Sequence, residues 1–406
     1  MSASASPIPP WLHMSHSPKH LSAALRVLAK RERTRDTART ASRRQSEPST
    51  TRSHFAHLGA SVLQKDDYTK HYAVSAGCQP ENQWGNRYLQ LEPYDRTRVV
   101  VGPGADGELA EGGAEGGRYL NASWVRELFG GKWWIATQAP LPNTAHPFLS
   151  VILQPIARPP PELLAGSSTT RTSRVRTVVQ LTPNFERGRQ KAHIYFPANI
   201  GESWEVPCED DQTAPPLKVT LLATTAIAEA NCMQSTVSIA PVSRSEKLEP
   251  IIFQHLLYHA WPDHGIPKPE DRPSLIKFIR LVDQVNKTVP PDRRTDLDPD
   301  PPIIVGCSAG IGRTGSFIAL SSLLRAHGLV SPSQTLPPAT VTPCSPSLPP
   351  SPLGPLPNDM RDDLVANEID SLREQRPGMV QREEQALLIY EMLEEAFLEL
   401  ADSSSG

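Results

Sequence analysis

Cysteine is scarce in this chain. Five residues, Cys78, Cys208, Cys232, Cys307 and Cys344, are scattered through 406 positions with no CxxC pair and no regular spacing. So small and odd a set argues against a disulfide framework and against a structural zinc site, and it points to a reducing compartment. No run of about 18 consecutive apolar residues occurs, so a membrane-spanning helix is not expected. The opening residues lack a charged segment followed by an apolar core, so no secretory signal is expected either. An excess of one charge is also missing: the formal net charge is -3. That balance excludes a bulk attraction to nucleic acid or anionic lipid.

Proline, by contrast, is abundant. The 42 prolines are about twice the ordinary share of roughly 5%, and hydrophobic residues reach only 38%. Part of the chain is therefore expected not to pack. Residues 1–56 are rich in Ser, Thr and Arg; through His54 they hold ten Lys or Arg against three acids, Glu32, Asp36 and Glu47. This stretch reads as a solvated, disordered basic tail with one short amphipathic helix near residues 21–28. An Arg-rich mitochondrial leader is the competing reading. The string Arg43-Arg44-Gln45-Ser46 has the form of a kinase site, a form common by chance. Residues 328–357 are dominated by Pro, Ser and Thr and read as a disordered insertion in a surface loop. Smaller insertions are expected at 102–117, 157–173 and 287–302, and a disordered tail at 401–406. One domain, 57–400, remains.

Within that domain, residues 133–137 and 175–181 are apolar, β-branched or aromatic runs bounded by Gly, Pro or Asn, and they read as strands. Residues 274–285 place Leu275, Ile276, Phe278, Ile279, Val282 and Val285 at helical spacing behind Pro273. Residues 383–400 form a second helical pattern with an acidic outer face. A short apolar strand at 303–305 runs into a glycine-rich turn and then into an apolar helical stretch at 317–324. Strand, glycine turn and helix in that order form a unit that cradles phosphate in many α/β proteins.

The turn reads Gly306-Cys307-Ser308-Ala309-Gly310-Ile311-Gly312-Arg313-Thr314-Gly315. A gap of five small residues between Cys and Arg lets the backbone curl, so that successive N–H groups of Ser308, Ala309, Gly310, Ile311 and Gly312 face one bound phosphate. The helix that follows adds the positive end of its dipole. At the base of such a cradle Cys307 is favoured as a thiolate. Arg313 can offer two parallel donors to phosphate, and Thr314 can donate to the Cys307 sulfur as it departs.

This string resembles the signature loop of the protein tyrosine phosphatase family, and further blocks follow in family order. Trp261-Pro262-Asp263-His264-Gly265-Ile266-Pro267 is similar to the mobile acid loop, with Asp263 the implied proton donor and Trp261 the hinge. Asn86-Arg87-Tyr88 resembles the segment lining the pocket mouth, which implies substrate-binding roles for Arg87 and Tyr88. A tyrosine ring there deepens the cleft in favour of phosphotyrosine. Tyr119-Leu120-Asn121-Ala122-Ser123 and Thr137-Gln138-Ala139-Pro140-Leu141-Pro142-Asn143-Thr144 match two structural blocks. Glu186-Arg187-Gly188-Arg189-Gln190-Lys191 looks like the hairpin whose lysine, Lys191, approaches the acid loop, although a solvated charge run reads equally well. Gln375-Arg376-Pro377-Gly378-Met379-Val380-Gln381 resembles the glutamine loop, which implies that Gln381 orients the hydrolytic water and that Gln385 makes a secondary contact.

The resemblance covers roughly residues 57–398 and implies one α/β domain, a twisted, mixed sheet flanked by helices. It also implies a phosphocysteine mechanism without metal or organic cofactor. The expected partners are phosphotyrosine-containing proteins, and neither nucleic acid nor a membrane is expected as one. A cytoplasmic or nuclear monomer is expected.

Three departures stand out. Gly306 replaces the histidine usual before the nucleophile, which is expected to raise the Cys307 pKa and to reduce turnover without abolishing it. Leu89-Gln90 replaces a charged pair, leaving only Gln90 to hydrogen-bond a substrate backbone, and Arg382 stands where a small hydroxyl residue is usual. An inactive phosphotyrosine-binding module is the alternative reading, and a dual-specificity or lipid phosphatase is a third. Such enzymes share Cys307 and Arg313 but lack the Asn-Arg-Tyr wall and the glutamine loop.

Overall fold

The computed structural model describes residues 8–46, 67–102, 117–155, 159, 163, 172–209, 214–242, 249–262, 265–288, 297–333 and 350–405. Its strands are β1 (Arg98–Val101), β2 (Arg118–Arg126), β3 (Trp133–Gln138), β4 (Thr177–Gln180), β5 (Phe185–Glu186), β6 (Arg189–Gln190), β7 (Ser203–Val206), β8 (Leu217–Ile227), β9 (Cys232–Pro241), β10 (Ile251–Tyr258) and β11 (Ile303–Cys307). Nine of them form one sheet in the order β1-β2-β3-β11-β4-β10-β9-β8-β7, and β5 pairs with β6 in a separate hairpin. The four central strands, β3, β11, β4 and β10, run parallel, while the neighbours on both sides are antiparallel. This is the expected mixed sheet.

Alternation explains why the central strands bury both faces. In β11, Ile303 and Val305 enter one core while Ile304 enters the other; in β3, Trp134 and Ala136 oppose Ile135 in the same way. Helix α2 (Ala145–Leu153) covers the second face. The first face is covered by α3 (Arg272–Lys287), α4 (Gly312–Ala326), α5 (Leu364–Gln375) and α6 (Glu383–Ser405). Every residue of α4 is buried, as expected of a helix enclosed by sheet and neighbouring helices. No described helix is long and apolar enough to cross a membrane.

The amino-terminal reading needs correction. Residues 18–46 are not a solvated tail but a 29-residue helix, α1 (Pro18–Ser46), with Ala24, Leu28, Arg35, Ala38, Arg39 and Ser42 buried. Its arginines carry charge into the interior because acids from distant segments meet them: Arg35 bonds Asp370 at 2.7 Å and Glu374 at 2.6 Å. The carboxyl terminus differs in the same direction, since α6 continues to Ser405.

The flanks of the Pro/Ser-rich stretch are also packed: Leu329, Val330 and Leu356 join the first core. Asp300, within the segment read as an insertion at 287–302, is buried and accepts from Asn286 at 3.0 Å and from Lys132. The middle of the 328–357 insertion, residues 334–349, lies outside the described residues.

Candidate active site

Cys307 ends β11, paired on one side with β3 at Gln138, so the sheet delivers it to the carboxyl edge of the central strands. That edge is where open α/β sheets place their ligands. The chain then curls into the turn, and α4 starts at Gly312, five residues earlier than the apolar run alone indicates. Gly310 permits the curl. Its φ is +70°, and a β-carbon there would stand 2.1 Å from the Thr137 carbonyl oxygen, so only glycine fits.

The outward carbonyls define what faces inward. Ser308 O accepts from Ala139 N at 3.1 Å, and Ile311 O from Gly315 N at 2.8 Å and Val380 N at 3.2 Å. Arg376 takes two more, donating to Gly310 O at 2.8 Å and Ala309 O at 3.2 Å. Because each peptide is planar and trans, a carbonyl held outward turns the next N–H inward. Ala309, Gly310, Ile311 and Gly312 thus present their amides to the hollow. Ile311, the residue before α4, provides no side-chain cap, leaving the first helical amides for an anion.

Cys307 is buried at the floor of this hollow. Burial alone would raise its pKa, but Arg313, the Thr314 hydroxyl and the N–H groups of Thr314 and Ile311 outweigh it and lower the thiol below its ordinary value. The Thr314 hydroxyl has no other hydrogen-bond partner among the described residues, which leaves it for the sulfur.

Arg313 is held in place by Glu186, whose two oxygens receive its terminal nitrogens at 2.7 and 2.9 Å, with Leu181 O at 3.1 Å. Glu186 reaches it from the β5–β6 hairpin, where Arg187 and Gly188 both take positive φ, the tightest two-residue turn pattern. The sequence reading gave Lys191 of this hairpin a role and Glu186 none. Lys191 is buried next to the loop, and its carbonyl accepts from Ser308 Oγ at 2.7 Å.

Ser308 Oγ also meets the Tyr88 hydroxyl at 2.7 Å, so the tyrosine stands as a wall beside the turn. Arg87 is engaged with the protein itself: it donates to Ala139 O at 3.0 Å and Pro140 O at 2.9 Å and meets His193 Nδ1 at 2.7 Å. Its donors therefore fix the Tyr88 segment to the end of β3 instead of facing the hollow.

Gln385 is buried, its amide nitrogen 2.9 Å from where a side chain on Gly312 would begin. Gln381 is exposed and lines a groove with Leu28, Glu32 and Arg382. Trp261 is buried and donates to Gly265 O at 3.2 Å, closing the base of the acid loop. Asp263 lies outside the described residues.

Arg376 is the second residue that went unassigned. It is buried, it also bonds Asn121 Oδ1 at 2.8 Å and Ser123 Oγ at 3.2 Å, and burial lowers its pKa to about 10 despite Tyr119 and Cys307 nearby. A signal was present, since Arg376 lies inside the string that resembles the glutamine loop, but nothing local says which carbonyls it supports.

Fold and site together define an α/β protein with a thiol and a fixed guanidinium converging on a backbone anion cradle. A family model described as protein-tyrosine phosphatase matches residues 82–157 and 169–330. Receptor-type tyrosine-protein phosphatase H of Homo sapiens is 32% identical over 256 residues, 62% of this chain and 18% of that protein. Phosphatidylinositol phosphatase PTPRQ of Homo sapiens is 30% identical over 248 residues, 60% of this chain and 8% of its own length. The solved catalytic domain of human protein tyrosine phosphatase non-receptor type 18 superposes with a TM-score of 0.52 at 25% identity, covering 80% of this chain and 88% of that one. The chain belongs to the protein-tyrosine phosphatase family. It spans less than a fifth of the length of these two curated relatives.

Proposed function

We propose that this protein hydrolyses phosphotyrosine in proteins through a phosphocysteine on Cys307. The observation that carries the reading is the convergence of a lowered-pKa thiol, inward amides and Arg313 locked by Glu186.

In the first step the Cys307 thiolate attacks phosphorus in line, and the bond from phosphorus to the tyrosine oxygen breaks. Asp263 gives its proton to that oxygen. Arg313 and the amides hold the three equatorial oxygens as charge redistributes. In the second step water attacks phosphorus, Asp263 takes its proton, and Cys307 leaves as a thiolate assisted by the Thr314 hydroxyl. Gln385, which stands against Gly312, makes a secondary contact to phosphate or water in this reading. Gln381 orients the water only by turning in from its groove. All positive charge comes from the chain, so the reading needs no cofactor.

Tyr88 supports phosphotyrosine as the substrate. Its wall favours a phosphate carried on a long aromatic side chain over phosphoserine, and over a phosphoinositide such as one relative's name indicates. The reading extends to a monomer acting in the cytoplasm on signalling phosphoproteins.

The test is turnover of a phosphotyrosine peptide, a phosphoserine peptide and a phosphoinositide by wild type and Cys307→Ser. The expected result is hydrolysis of the first alone, abolished in the variant. Equal rates on phosphotyrosine and phosphoserine would sink the pocket argument. Binding without turnover by wild type would favour the inactive module.

A further inference from the structure

Helix α1 presents an arginine at every fourth position: Arg31, Arg35, Arg39 and Arg43. That spacing keeps all four on one flank, and each ties the helix to the rest of the domain. Arg31 donates to Asp370 at 2.9 Å and to Gly354 O at 2.6 Å. Arg35 reaches Asp370 and Glu374 of α5. Arg39 donates to the Tyr94 hydroxyl at 3.0 Å. Arg43, in the last turn, donates to Glu92 Oε2 at 2.8 and 3.1 Å and to the Gln90 carbonyl at 2.9 Å.

Gln90 is where this matters. It follows Tyr88 and Leu89 and holds a φ of +67°, a left-handed conformation that costs a non-glycine residue free energy. Both sides of its peptide are tethered: its N–H donates to Glu92 Oε1 at 3.3 Å while its carbonyl receives Arg43. Glu92 joins the two tethers. Next in the chain, Leu91 O accepts from Asn121 at 3.0 Å. Leu89, by contrast, is 79% exposed beside the Tyr88 wall. Arg43 and Glu92 thus stabilise a strained peptide whose conformation sets the direction of the cleft's rim.

We propose that Arg43 is a positioning residue for the protein substrate. By holding the Gln90 peptide it places Leu89 and the Gln90 main chain against residues flanking the phosphotyrosine. This rests on the phosphatase reading. A small aryl phosphate meets Tyr88, whose segment Arg87 fixes to Ala139 and Pro140, but does not extend to Leu89 or Gln90, so its constants are independent of Arg43.

The test uses the full chain with Arg43→Ala and Arg43→Lys, and with Arg31→Ala as a control that loosens the other end of the arginine row. The substrates are a phosphotyrosine peptide and p-nitrophenyl phosphate. Arg43→Ala is expected to raise the peptide KM by about tenfold, the scale of one charge-assisted contact, with kcat unchanged. Arg43→Lys recovers part of the loss, because one donor remains. Both constants for p-nitrophenyl phosphate stay at wild-type values in all variants. Amide hydrogen exchange across residues 89–92 quickens in Arg43→Ala but not in Arg31→Ala. Parallel changes on both substrates, an Arg31→Ala that reproduces Arg43→Ala, or unchanged exchange at 89–92 would each overturn the proposal. A wild type inert toward both substrates would count against the phosphatase reading instead, and the exchange measurement would then decide the clamp by itself.

Discussion

Glu186 holds Arg313 through two parallel hydrogen bonds of 2.7 and 2.9 Å, though 127 positions separate them in the chain. The pair is buried, so the guanidinium is oriented before any phosphate arrives, and the ordering cost is met during folding. Glu186→Ala is expected to lower kcat on a phosphotyrosine peptide by about 100-fold, the scale of a small misplacement in a reacting site. Steady-state kinetics check this, and a kcat within a few-fold of wild type would show that Arg313 finds its place unaided.

The Cys307 thiol is lowered chiefly against its own burial, by Arg313 and Thr314. Its alkylation by iodoacetamide should therefore show a pH inflection below the ordinary 9.0. Thr314→Val is expected to move that inflection upward, since a thiolate loses a donor. An inflection well below about pH 6 in wild type would mean that the absence of the family histidine costs the thiolate nothing.

Gly306 cannot simply be returned to histidine. A β-carbon there would stand 2.7 Å from the Thr137 carbonyl oxygen, in the strand pair that carries the site. Gly306→His is expected to destabilise the fold by about 1–3 kcal/mol, the range for overpacking, and not to raise kcat. Denaturant melts and kinetics on the variant test both halves, and a faster, equally stable enzyme would contradict the packing argument.

Arg35 is fully buried in α1 with Asp370 and Glu374 as partners. Arg35→Ala removes the buried charge between the two carboxylates, leaving Asp370 to Arg31 and Glu374 to Tyr72 and Arg96, and is expected to cost about 1–3 kcal/mol. Chemical unfolding should show one transition shifted to lower denaturant. A variant as stable as wild type would mean that α1 is an appendage after all.

Glu368 lies inside the core, accepting from Ser322 Oγ at 2.6 Å, Leu128 N at 3.1 Å and Phe129 N at 3.3 Å. Burial, with Glu127 nearby, raises its pKa from 4.5 to about 8. The unfolded chain releases this proton near 4.5 while the folded chain keeps it until about 8. Its contribution to stability is therefore full at low pH and falls as pH rises through that window, by at most about 1.4 kcal/mol per pH unit. Glu368→Gln should flatten the stability–pH profile between those limits, and an unchanged slope would show that the carboxylate is charged in place.

What the amino-acid string determined by itself is the local machinery. A cradle of consecutive small residues between an apolar strand and a helix is a short-range object, set by backbone sterics within ten positions. The gathering of Cys307, Arg313 and the loop amides around one turn was therefore legible directly, as were the apolar central strands and the apolar stripe of α3.

Tertiary structure alone decided the rest. Glu186 on Arg313, Arg376 under the loop carbonyls, and the arginines of α1 on Asp370, Glu374 and Glu92 are pairings between segments far apart in the chain. A charged residue read alone looks solvated, because its cost of burial vanishes only when a distant partner arrives. Residues 18–46 looked like a tail for that reason, and folding made them part of the domain.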